Sequence, residues 1–519
     1  MTDRPLVVDA AAGPDPAEPS PRAPRNDRSA ALAGIAAAAA AIGAGELTAS
    51  VFNVAASPLL SVGSLVIDLM PPFLKSAVIA AFGTGDKPFL VVVLLVVVLA
   101  IGALAGVLQA RRPPSGDVVV AVLGLVAAAA AVTRSGAGVF DATPSVIAAV
   151  VGEVLLMRLV TRSITTGRRA FLVSAAVSAA AGVAAGVLAR SLGTAQRGVQ
   201  AAIGTVVLPQ PTATATPPAP ADSLKVAGLT PLVTDTADFY RIDIALSPPA
   251  VDPASWRLEV TGEVEHPFSI GWDELLKLPM HESATTLMCV SNPIGGTLNG
   301  TAVWLGTSIR DVLARAVPKA GADMVLSSGA DGFSASTPLS VLQDPGRDSL
   351  LAVGMNGDPL PQLHGFPVRM VVPGLYGYVS ATKWLTKLEV TRFDRATAYW
   401  TTRGYSARGP VKVSSRIDVP NRPSAVGVVD VAGVAWAQHT GIARVQLQID
   451  DGPWRDCELA DAWSADVWRQ WRYRWTATKG DHTLRVRATD SEGLVQTAKL
   501  TGEAPNGATG LHTVQVSIT

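Results

Sequence analysis

The chain has 519 residues, enough for two to four domains, and its 42 Lys and Arg balance 42 Asp and Glu. That neutrality leaves no basic excess to attract nucleic acid and no acidic tail. All 11 Trp and all 6 Tyr lie beyond residue 239, while the first 200 residues are dominated by Ala, Val, Leu and Gly, so a membrane part is expected first and a soluble part second.

In chain order, residues 1–29 read as a disordered tail and 30–190 as an all-α membrane domain. Its five apolar stretches, 30–49, 89–110, 117–133, 143–161 and 170–190, each approach the ~20 residues that span a bilayer. Arg22, Arg25 and Arg28 precede the first, Arg111 and Arg112 follow the second, and Arg162, Arg168 and Arg169 follow the fourth. Basic residues favour the cytoplasmic side, so five spans put the amino terminus inside and 191–519 outside. Residues 51–87 then form an outer loop, with "SLVIDLMPPFLKSAVIAAFG" along the surface. Glu153, mid-span, and Arg158 read either as functional charges or as a helix-packing contact. None of the six His lies in a span and there is no CxxCH, so the membrane part is expected to hold no haem.

Residues 191–222, ending in "TVVLPQPTATATPPAPAD", read as an extended, semi-rigid linker. From 223 to 395 the pattern is α+β. "WRLEVTGEV" alternates as a strand, "GWDELLKLP" has helical spacing, and "MVLSSGADGF", "PVRMVVPGLYG" and "KWLTKLEVTRF" are strands broken at Gly and Pro. In 396–519, "AVGVVDVAGVAWA", "IARVQLQIDDGPW", "RQWRYRWTA", "HTLRVRATDSEG" and "HTVQVSIT" predict an antiparallel β-sandwich of immunoglobulin type. The expected architecture is thus multidomain: helical bundle, α+β domain, all-β sandwich.

The two cysteines are Cys289, in "TTLMCVSNPIGG", and Cys457, in "WRDCELA". A disulfide between them would have to join two domains, and Cys457 reads as a small buried residue. Cys289 has three readings from the residues alone. It is a core thiol, a nucleophile served by His281 or His364, or a ligand to a metal whose other donors are not protein, since no Cys and His cluster at zinc spacing accompanies it.

The wider pattern resembles the sulfite oxidase family of molybdopterin enzymes, followed by that family's dimerisation domain, over residues 232–517. The residues that carry the resemblance are "SLLAVGMNGDPLPQLHGFPVRMVVPGLYGYVSATKWLTKLEV", "FYRIDIALSPPAVDPASWRLEVTGEV", "TTLMCVSN", "WLGTSIRDVL", "GFSASTPL", "VAGVAWAQHTGIARVQLQIDDGPW" and "WRQWRYRW". The resemblance implies an α+β sulfite-oxidase-like fold, a molybdenum–molybdopterin cofactor, and Cys289 as the metal-bound catalytic thiolate, a soft ligand for a sulfur-rich centre. It implies Arg369 and Lys383 at the cofactor phosphate, with Ser380 and Thr382 beside them, His364 hydrogen-bonded to the cofactor, and Tyr240, Arg241 and Asp243 against the pterin.

Two departures bear on substrate. Sulfite-oxidising members follow the cysteine with arginines, where this chain has "SNPIGG". Their catalytic tyrosine falls near Thr402 or Gly404 of "YWTTRGYSA", flanked by Tyr399 and Tyr405. A dianion leaving water needs compensating charge, so reduction of a neutral S-oxide or N-oxide is expected over sulfite oxidation. The alternatives are a sulfite-oxidising enzyme and a non-catalytic surface binding protein on a decayed fold. Because this cofactor is inserted in the cytoplasm, the resemblance implies export of a folded domain. "TTGRRAFLVSAAVSAAAGVAAGVLA" is similar to a twin-arginine signal, with Gly167 and Val173 departing from it. Electrons are expected from a separate partner protein or a quinone, and the sandwich implies a homodimer.

Overall fold

The structure is a computed structural model that describes residues 27–71, 74, 78, 82, 85–134, 137–192 and 194–519. The expected tail, with Arg22 and Arg25, and part of the stretch expected along the surface, in 72–84, lie outside the described residues. The helical unit contains α1 (Asp27–Phe52), α2 (Pro58–Leu69), α3 (Asp86–Arg111), α4 (Ser115–Val132), α5 (Thr143–Thr165) and α6 (Arg168–Leu192). Five of these, all but α2, are long and apolar enough to cross a membrane. The short α2 starts at Ser57, whose hydroxyl accepts the Leu60 N–H (3.2 Å), with Pro58 at the first helical position.

The Ala and Gly content of α1 follows from its place. It is the most enclosed span, packed against α3, α5 and α6. A Cβ on Gly34 would collide with the Gly102 carbonyl, and one on Gly43 with that of Gly182. Without water to drive association, such close backbone approach supplies the packing. Glu153 is half-buried on α5.

The segment expected to be a spacer is instead held down. Residues Thr194–Thr205 form α7. Beyond it the Thr212 N–H donates to Met280 O (2.7 Å), Trp463 Nε1 to Thr216 O (2.7 Å), and Asp461 N to Ala221 O (2.9 Å). Composition describes a free chain; here the backbone groups find partners on both soluble units.

Ten strands build the α+β unit: β1 (Arg257–Gly262), β2 (Phe268–Gly271), β3 (His281–Met288), β4 (Asn299–Ser308), β5 (Met324–Gly329), β6 (Ser334–Pro338), β7 (Leu350–Met355), β8 (Asp358–Pro359), β9 (Arg369–Val371) and β10 (Leu385–Thr391). One sheet runs β2-β1-β10-β5-β6, with β1 and β10 parallel and Val260 opposite Leu388. The other runs β3-β4-β7-β8, with β9 on β7. Leu258 and Val260 alternate inward from β1, as the period of two requires.

Eight more strands follow: β11 (Ser414–Val419), β12 (Gly427–Trp436), β13 (Ile442–Ile449), β14 (Arg455–Asp456), β15 (Glu458–Leu459), β16 (Arg469–Ala477), β17 (Gly480–Asp490) and β18 (Thr513–Ile518). They form two antiparallel four-stranded sheets, β11-β12-β16-β15 and β14-β13-β17-β18, around a core that includes Val431, Trp471, Leu447 and Val486. Cys457 is half-buried against this core, and both cysteines are free thiols. Trp436 and Trp468 join the α+β core, so the two soluble units share apolar packing.

Candidate active site

Cys289 leaves the end of β3 into a closed loop. Its N–H donates to Leu298 O (2.9 Å), its carbonyl accepts the Asn292 N–H (3.1 Å), and Asn292 Oδ1 accepts the Leu298 N–H (2.8 Å). Among the described residues Sγ takes one hydrogen bond, from the Ser291 N–H (3.4 Å). Burial pushes the thiol pKa up, with the Ser291 N–H acting against it. His281 pairs instead with Asp348 (3.5 Å) and His364 Nε2 meets Thr236 O (3.1 Å), and neither imidazole hydrogen-bonds Sγ among the described residues.

Strand ends collect the other groups. The Met370 N–H donates to Thr382 O (2.9 Å), the Leu385 N–H to Val368 O (2.9 Å), and the Trp384 N–H to Gly365 O (3.2 Å). This lays 364–370 against 382–385. Gly365, at φ 114°, allows it, because a Cβ there would press on Arg369 and Lys383 at 3.0 Å. Tyr240, Asp243, Cys289, His364, Arg369 and Lys383 thereby line one cavity of ≈ 800 Å³, open solvent included.

Its electrostatics are lopsided. Asp243 is bound by Lys383 (2.7 Å), Arg241 (3.0 Å) and Lys87, which reaches in from the start of α3. Burial opposes ionisation of Asp243, but Lys383, Lys87 and Arg241 together outweigh it and hold the carboxyl below the usual range. Burial pulls Lys383 down to about 8 and Arg369 to about 10. Arg369 Nη1 donates to His364 O (3.1 Å), and its guanidinium lies 4.9 Å over the Trp304 ring. Its Nη2 has no hydrogen-bond partner among the described residues. Burial, then Arg369 and Lys383, lower His364 to about 4, so it is neutral at pH 7. Asp331, also on the wall, is raised by burial to about 6. Arg369 and Lys383 are the described cations on the cavity wall, beside the carboxyls of Asp243 and Asp331, and Arg241 and Lys87 reach Asp243 from outside it.

Three of the residues named from sequence stand elsewhere. Arg241 touches Asp243 without lining the cavity. The Ser380 hydroxyl donates to Tyr376 O (2.9 Å), and Thr382 Oγ1 bonds Ser327 Oγ (2.7 Å). Both hydroxyls satisfy the fold itself. In the "YWTTRGYSA" run, Thr402 and Gly404 are exposed, and Tyr405 is the tyrosine that lines the cavity, between Trp400 and Tyr378. Tyr399 points away and donates to Asp68 (2.6 Å).

Sequence reasoning missed Lys87, Asp331, Tyr378 and Trp400. Lys87 had one legible signal, a cation at the outer end of a span, against the positive-inside trend. Arg416 reaches the loop after Cys289, but its guanidinium is committed to Gly296 O (2.7 Å), Asn299 (3.1 Å), Thr230 (2.9 Å) and Asp418 (2.6 Å).

Residues 245–400 match the model of the oxidoreductase molybdopterin binding domain. Sulfite oxidase of Gallus gallus is 32% identical over 298 residues, 48% of this chain and 64% of that protein. The mitochondrial sulfite oxidase of Mus musculus is 31% identical over 300 residues, 48% of this chain and 54% of that one. The chain thus spans about half to two thirds the length of these relatives. The uncharacterized oxidoreductase YuiH of Bacillus subtilis is 34% identical over 158 residues, 30% of this chain and 76% of that protein. Among solved structures, the sulfane dehydrogenase SoxCD of Paracoccus pantotrophus aligns at 21% identity with a TM-score of 0.48, covering 57% of this chain and 83% of that one. With a free thiol at a strand end and a buried arginine and lysine on the same cavity wall, the chain belongs to the sulfite oxidase family of molybdopterin-binding oxidoreductases.

Proposed function

We propose that the protein is a membrane-anchored molybdopterin-dependent oxidoreductase that moves an oxygen atom and two electrons, on a neutral S-oxide or N-oxide in preference to sulfite. The cavity fits the cofactor. It offers one thiol and, among the described residues, no group of three His, Cys, Asp or Glu that could hold a metal by themselves, so a metal here takes its remaining donors from a non-protein ligand. Arg369, with its open Nη2, and Lys383 on the same wall suit a phosphate.

When bound, the cofactor supplies two-electron oxygen-atom exchange. Cys289 would hold its metal and Arg369 and Lys383 its phosphate, while Asp243 gathers Lys383, Arg241 and Lys87. His364, neutral and tied to Thr236, presents its ring without adding charge. Tyr240 and Asp243 flank the pterin on this reading. Tyr405 supplies the hydrogen bond to the substrate oxygen, in place of the family's tyrosine near Thr402 or Gly404.

The observation that carries the substrate preference is the loop after Cys289. It is "SNPIGG", without a cation, and the one arginine described as reaching it, Arg416, is already consumed. Tyr378, Trp400 and Tyr405 add no charge to the wall, and on this reading its two cations, Arg369 and Lys383, are taken by the cofactor phosphate, so sulfite would leave water without further compensating charge. Purified holoprotein is therefore expected to turn over alkyl sulfoxides or amine N-oxides with kcat/KM about a hundredfold above that for sulfite, a difference of ~2.7 kcal/mol in transition-state binding. Sulfite turnover equal to or above that of every S-oxide and N-oxide would reverse the assignment.

On the same reading the helical unit sits in the plasma membrane with the catalytic unit outside the cytoplasm, and Arg168 and Arg169 act as an uncleaved twin-arginine signal. The two-sheet unit is the family's dimerisation module, of immunoglobulin type. Electrons come from a separate carrier.

A further inference from the structure

Between the helical unit and the catalytic unit lies a second cleft, of ≈ 1930 Å³ with open solvent included. Its helix-side wall includes Val51 and Phe52 at the end of α1 and Ile67 on α2, and the first two are exposed apolar side chains (73% and 67%). Its other wall is residues 244–251, Tyr399 and Arg403 of the catalytic unit. Ile244 and Asp331 line both this cleft and the Cys289 cavity, so the cleft reaches the wall of the active site.

At its polar end the two units share one cluster. Asp68 Oδ1, on α2, accepts Tyr399 Oη (2.6 Å) and Arg403 Nη2 (2.9 Å). Oδ2 has no partner among the described residues, and the side chain is 43% exposed. Arg403 stacks 3.6 Å over the Tyr399 ring. Asp331 adds a second carboxylate on the shared wall. An apolar approach from helix ends that leads to carboxylates, a phenol and a guanidinium suits a ring with two hydroxyls.

None of the six His and neither Cys lies in the helical unit, so the helices hold no His pair that could carry a haem towards the catalytic unit. A carrier that docks in the cleft itself needs no such relay. We infer that this cleft binds the head group of a lipid-soluble hydroquinone, which enters past Phe52 and delivers electrons to the active site. This rests on the S-oxide reading above. A hydroquinone loses two electrons and two protons in becoming a quinone. An S-oxide takes two of each in becoming a thioether and water, so the pair balances with no further reactant. Asp68 Oδ2 accepts one phenolic hydrogen, and the Tyr399–Arg403 pair fixes the ring above it.

The test uses the full chain in detergent. Binding of menadiol and of decylubiquinol, kept reduced without oxygen, is followed by titration calorimetry, with Ser64→Trp, which narrows the cleft, and Asp68→Asn as variants. The inference expects saturable binding, weakened about tenfold in at least one variant (~1.4 kcal/mol). It also expects the ratio of decylubiquinol-driven to reduced-viologen-driven S-oxide turnover to fall by a similar factor. Absent binding, or binding undiminished in both variants, overturns it. If viologen-driven turnover then persists, the S-oxide reading stands without it. Binding lost in the variants, with no S-oxide turnover from either donor, supports the cleft as a quinone site and overturns the S-oxide reading instead.

Discussion

His364 shows, at the scale of one residue, how burial beside a cationic cavity sets a charge state. Its pKa is about 4 against an ordinary 6.5, from burial first and then Arg369 and Lys383. Between those values the unfolded chain binds the proton and the folded one does not. Stability is therefore complete above pH 6.5 and is lost as pH falls towards 4, by on the order of 3 kcal/mol. In cofactor-free protein, thermal unfolding followed from pH 7 to 4 is expected to show this slope. His364→Gln, whose amide keeps a donor for Thr236 O, is expected to flatten it; an unchanged slope would assign the pH dependence elsewhere. Residue types were legible from the sequence, but orientations were not. Ser380 and Thr382 have the right chemistry for a phosphate, yet each hydroxyl is spent inside the fold. Tyr399 and Tyr405 look interchangeable in "YWTTRGYSA", and only packing turns one to the cavity and the other to Asp68.

Elements whose period is strong were readable before any coordinates. The alternation in "WRLEVTGEV" becomes β1, and the repeated strand and turn signals after residue 412 become two facing sheets. What failed was inference from composition where long-range partners decide. The Pro, Thr and Ala segment is pinned by Met280, Trp463 and Asp461. Lys87 belongs to the same class, since it meets Asp243 from 156 residues away. Removing it leaves the buried Asp243 with Lys383 and Arg241, and draws Lys383 harder onto that carboxylate and away from the phosphate it is proposed to hold. Lys87→Met is expected to lose bound molybdenum and pterin during prolonged dialysis about tenfold faster than the unaltered chain, with the helical unit still folded by circular dichroism. Equal retention would confine Lys87 to joining the two units.

The whole molecule couples a helical unit with no counterpart in the matched domain to a catalytic unit docked on its helix ends. The end of α1, α2 from Leu60 to Asp68, and Thr133, Arg134, Ala137 and Asp141 line one side of the interunit cleft. On the orientation proposed above, with five spans and the amino terminus inside, that side and the catalytic unit lie outside the cytoplasm. Arg168 and Arg169, exposed at the start of α6, sit at the opposite end of that helix from the catalytic unit. Replacing both with Lys preserves charge while removing the guanidinium pair. The catalytic unit is then expected to stay inside, protected from protease added to intact cells, and normal exposure would leave the pair as ordinary inside-positive charge.

The central claim is that Cys289 holds molybdenum through one protein thiolate, in a cavity whose cations hold the rest of the cofactor. The most direct measurement is the molybdenum and pterin content of detergent-purified full chain, made beside Cys289→Ser in a host that makes the cofactor. The account predicts about one molybdenum per chain, with the metal lost or its Mo(V) paramagnetic resonance altered in the variant, because a hydroxyl is a harder and less acidic ligand than a thiol. No molybdenum in the unaltered chain, or an identical signal without the thiol, would contradict it.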